Sequence, residues 1–163
     1  MPYATATVPM DNAIQGITGS LPQDETSLQS WNAADKWSKV AEEFFASASI
    51  PSWTPLGLAA GREAFKAAAL AQMDSPQSMN VGAMEAGFIA FAATCAVPGN
   101  VAPPLPVVHA PPAAPLSLAV LSGLPPSETT MPSTTALHGV LLTWAQTGTQ
   151  TTPGAPPVVV PWL

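Results

Sequence analysis

Apolar residues recur at steps of three and four between positions 28 and 48, where Leu28, Trp31, Ala34, Trp37, Ala41, Phe44, Phe45 and Ala48 share one face. That period predicts an aromatic-rich amphipathic helix. Asp24 and Glu25 precede it on the favourable side of the helix dipole, Ser27 or Ser30 stands ready to cap it, and Pro51 ends it. Thr54-Pro55 reads as an N-cap followed by proline at the first helical position, which predicts a second helix reaching Met73. Its core side is Leu58, Phe65, Ala69 and Met73, with Arg62, Glu63 and Lys66 towards solvent. Ser75-Pro76 repeats the start signal for a third helix ending at Cys95. There Met84, Phe88, Phe91 and Cys95 form one stripe. Opposite them, Gly82, Ala83, Ala86, Gly87 and Ala90 are small enough for a neighbouring backbone to come close. A fourth helix is predicted over 133–147, with Leu137, Val140, Leu141 and Trp144 as its apolar set and Gly148 past its end.

Between and around these helices the period fails. Residues 1–26 contain Pro2, Pro9, Gly16, Gly19 and Pro22 and read as an extended arm. From 98 to 132 the chain has the composition of a polyproline II belt, which forms without internal hydrogen bonds. Within it, residues 116–124 fit a short strand or a single helical turn equally well. The tail, 149–163, is again read as extended and closes on Val158-Val159-Val160-Pro161-Trp162-Leu163. The expected fold is therefore mainly α: a three-helix core over 27–97 with a fourth helix (133–148) packed on it, flanked by arm, belt and tail. No internal repeat of fixed period is present.

Charge sharpens this picture. Only 9% of the 163 residues are charged, where about a quarter is usual. All four bases (Lys36, Lys39, Arg62, Lys66) lie in the first 66 residues, and from Ala86 onward the only charged side chain is Glu128. That same stretch holds fourteen of the twenty prolines. A surface so short of charge fits a chain ordered against other protein. No basic stripe with interleaved aromatics exists, so a nucleic-acid partner is not expected. The most apolar stretch, 81–97, is too short and too interrupted for a membrane span, and no leader-like segment opens the chain.

Catalytic chemistry finds no constellation. His109 sits within the proline run and His138 has no acid at helical spacing. Cys95 continues an apolar stripe and reads as a buried small hydrophobe; it also excludes an internal disulfide framework, being the one cysteine. Glu42 and Glu43 are adjacent on a helix, so they diverge, and both sit at pairing distance from Lys39, as Glu63 does from Lys66. Gly57 and Gly61 are not followed by the Lys-Ser/Thr of a phosphate loop. Catalytic residues, metal ligands, cofactors and a small-molecule substrate are thus not expected. The candidate residues are partner contacts: Tyr3 in the arm; Pro103, Pro104, Pro111 and Pro112 in the belt; and Val159, Trp162 and Leu163 in the tail. Glu85, the one acid on a small and apolar helix, either faces solvent or pairs with a base on a neighbouring subunit. Trp162 either anchors a partner or folds back on its own core.

The run AFKAAALAQM, then MEAGFIAFAATCA, a proline-rich stretch, and LHGVLLTWAQTGTQTTPGAP together resemble small Ala/Pro-rich proteins encoded among the tail genes of contractile-tailed bacteriophages. The likeness spans 37–157 and is one of layout and composition. It implies a non-enzymatic virion structural protein at the tail or baseplate, assembled in the host cytoplasm. Such a protein is present in several symmetric copies and bound to larger neighbours, and the extended arm, belt and tail read from the residues are suited to bridging those larger subunits. A capsid-associated cement protein is the near variant. A secreted or surface binding module, using the proline belt for recognition, is the alternative from another class.

Overall fold

The computed structural model of the chain describes residues 6–19, 32–47, 57–96, 107–124 and 129–162. Among these, five α-helices run in order: α1 (Thr7–Gly19), α2 (Ala33–Ala46), α3 (Leu58–Leu70), α4 (Val81–Cys95) and α5 (Met131–Ala145). Three short strands, β1 (Val107–His109), β2 (Thr149–Thr152) and β3 (Val158–Pro161), form one antiparallel sheet in the order β1-β2-β3, and a 3-10 turn covers Ala119–Gly123. The mainly α class expected from the period is what the chain adopts. No described helix is long and apolar enough to cross a membrane.

Helices α3 and α4 form the closest pair. A Cβ placed on Gly61 of α3 would lie 2.5 Å from the ring of Phe91 on α4. A Cβ on Gly87 of α4 would lie 2.6 Å from the ring of Phe65 on α3. Each helix therefore lays an aromatic ring over a glycine of the other, a contact no larger residue allows. From this pair a chain of rings runs outward. Phe65 meets Phe88 edge-on at 5.5 Å, Phe91 stacks on Phe45 of α2 at 4.7 Å, and Phe45 meets Phe44 edge-on at 5.1 Å. Phe44 then meets His138 of α5, edge-on at 6.1 Å. All five phenylalanines are buried, and aromatic pairs of these geometries add about 0.5–1.5 kcal/mol each beyond their burial.

Local signals set the helix ends. Asn32 caps α2, its side-chain oxygen accepting from the Asp35 N–H at 3.2 Å, and Asn80 caps α4 by accepting from the Ala83 N–H at 2.7 Å. The expected start of α4 at Ser75-Pro76 is displaced because Ser75 closes a local turn instead. The Ser75 hydroxyl accepts from the Gln77 N–H at 3.2 Å, while Pro76 gives its carbonyl to the Ala33 N–H of α2 at 2.9 Å. Helix α3 begins after Gly57, whose φ of 96° lies in the left-handed region that glycine tolerates. The Ser27, Ser30 and Thr54-Pro55 signals lie outside the described residues.

The largest correction concerns the first 26 residues. Residues 7–19 are helical, not an extended arm, because Pro9 falls in the first turn, where a missing N–H has no partner to lose. Met10, Ala13, Ile14 and Ile17 make the stripe that packs on the core, with Ala6 and Met10 fully buried. Asp11 fastens this helix to α5. It is 2% exposed and accepts from Thr130 (2.8 Å), Thr134 (2.8 Å) and Gln15 (2.7 Å). Burial raises its pKa, but the hydrogen bonds from Thr130, Thr134 and Gln15 outweigh that and hold the carboxyl below its usual 3.8.

Two tests follow from this packing. Gly61→Ala and Gly87→Ala should each destabilise the chain in thermal unfolding, because an overpacking cost of about 1–3 kcal/mol exceeds a propensity gain of about 1 kcal/mol. Gly139→Ala on α5 should do the reverse, since a Cβ there meets nothing within 4 Å. For Asp11, a pKa lowered by folding means that its contribution is complete above the unfolded value and fades as pH drops through the folded one. The wild type should therefore outlast Asp11→Asn in thermal melts at neutral pH, and the gap should close in acid below about pH 4.

Candidate interaction surface

Charge divides the molecule. Asp35, Glu42, Arg62, Glu63 and Lys66 form a network between α2 and α3. Arg62 reaches Asp35 at 3.3 Å and Glu42 at 3.5 Å; Lys66 reaches Glu63 at 2.6 Å and Asp35 at 3.6 Å. Glu63 beside Lys66 raises the pKa of that ammonium. The Glu63–Lys66 pair expected from spacing is present. Glu42 crosses to Arg62 of the next helix, so Arg62 and Lys66 face this network and not open solvent. Partly exposed pairs like these are worth up to about 1 kcal/mol each.

The described residues beyond Glu85 carry no charged side chain apart from histidine. There the belt is fastened by its backbone. Glu85 Oε1 accepts from the Leu118 N–H at 2.6 Å, and Trp144 Nε1 donates to the Pro112 carbonyl at 2.9 Å, with Leu116 and Leu118 buried beneath. Glu85 thus satisfies an N–H of its own chain with one carboxylate oxygen and is half-buried. Pro111 is buried and Pro112 exposed.

The tail is extended, as expected, in two strands that pair with each other as a hairpin of the sheet. Trp162 is 0% exposed, so of its two expected roles it folds back, and it is no anchor for a partner. Its N–H donates to the Gly148 carbonyl at 3.0 Å. Gly148 serves this closure by size: a Cβ there would lie 2.9 Å from both Pro111 and Trp162, and its φ is not in the left-handed region. Tyr3, Pro103, Pro104 and Leu163 lie outside the described residues. Of the expected partner contacts among the described residues, Val159 alone is a large exposed apolar side chain, at 60%.

Sequence spacing missed what the surface offers. A groove of about 430 Å³ runs along α5, lined by Pro115, Thr135, Ala136, Gly139, Val140 and Thr143 among others. Thr135, Thr143 and Thr147 donate their hydroxyls to the carbonyls of Met131, Gly139 and Trp144, so the wall is apolar despite its threonines. Four-residue spacing of Thr135, Gly139 and Thr143 was the available signal. Val107 (54% exposed), Val158 and Val159 stand out from the sheet, and Val120 from the 3-10 turn.

Among the described residues, reactive groups do not gather. His109 is exposed on β1, His138 is buried against Phe44, and burial pushes the Cys95 thiol up to about 12. Among the described residues no three His, Cys, Asp or Glu side chains come together as metal ligands. No protein family, characterised protein or solved structure matches the chain.

The Glu85 contact can be tested directly. Glu85→Ala leaves the buried Leu118 N–H unsatisfied, at about 1–3 kcal/mol. Limited proteolysis should then cut within 107–124 sooner than in the wild type, whereas Glu85→Gln, which keeps an acceptor, should resemble the wild type.

Proposed function

We propose that the chain is a non-enzymatic structural subunit of a virus particle, a component of a phage tail or baseplate set among larger subunits in several copies. The observation that carries this reading is the partition of charge. Helices α2 and α3 hold the ion network, whereas the described residues of α5, the belt and the sheet offer an apolar groove and exposed valines with no Asp, Glu, Lys or Arg. A face of that kind is suited to burial in a permanent contact. The layout shared with small Ala/Pro-rich phage tail proteins supports the same reading. Residues 7–19, 107–124 and 149–162 fold onto the chain's own core and so do not act as bridging arms. Contact is made by surface. A cement protein on a capsid would use that surface in the same way.

The self-contained packing of belt and tail also favours a second reading, a secreted or surface binding module. Mass spectrometry of gradient-purified particles from the host that encodes the chain separates the two. A constant ratio to the major tail or capsid subunits is expected. Absence from particles, with the protein recovered from the medium or cell surface, overturns the particle reading.

A further inference from the structure

We draw no further inference here: the strongest candidate, the apolar groove of about 430 Å³ along α5 lined by Pro115, Gly139, Val140 and Thr143, is an unpartnered face, and nothing in the structure shows what covers it.

Discussion

Helices α3 and α4 approach until each lays a ring on a glycine of the other, Phe91 on Gly61 and Phe65 on Gly87, and the positions of the remaining elements depend on that closeness. Phe91, seated over Gly61, also stacks on Phe45. Phe45 in turn fixes Phe44, which meets His138 and so fixes the facing side of α5. A core poor in large residues and rich in alanine is close-packed by two series of rings, Phe65 with Phe88 and Phe91 through Phe45 and Phe44 to His138, which start from the two glycine contacts between α3 and α4.

Once α5 is set, the C-terminal half follows by backbone contacts more than by side-chain bulk. Trp144 takes the Pro112 carbonyl, Glu85 the Leu118 N–H, and Gly148 leaves room for Pro111 and Trp162. Proline-rich chain has few N–H groups to satisfy and little conformational entropy to lose, so a few such contacts suffice to hold it. The same lack of charge that makes this half a poor solvent-facing surface makes it a good buried one. The ion network between α2 and α3 supplies the hydrated side that a chain of this composition needs.

Much of the helical layout was legible in the sequence, because α2, α3, α4 and α5 carry apolar residues at regular spacing and end at prolines or glycine. Their starts were less legible. Ser75-Pro76 has the form of a cap, and only the turn it makes with Gln77 and Ser78 shows why Asn80 acts instead. Helix α1 was hidden by Pro9, Gly16 and Gly19, which as residue types argue for extended chain although Met10, Ala13, Ile14 and Ile17 keep helical spacing. The fate of Glu85 and Trp162 was not legible at all. Each was left with two outcomes in the sequence, and the choice turns on contacts 33 residues away for Glu85 and on the space at Gly148 for Trp162. Hairpin pairing of the tail was likewise invisible, since the strands are three or four residues long and flanked by prolines.

The claim at the centre of this account is that the described parts of the charge-poor belt and tail, 107–124 and 149–162, are folded onto the chain's own core and present a finished surface. Hydrogen exchange of the isolated chain, resolved by mass spectrometry, tests it most directly. The account predicts that amides of 107–118 and 148–162 engaged in the sheet and with Glu85 are protected to the same order as those of α3 and α4. Exchange of those segments at the rate of free peptide, with the helices still protected, would contradict it and return the belt and tail to the role of arms that order only on a partner.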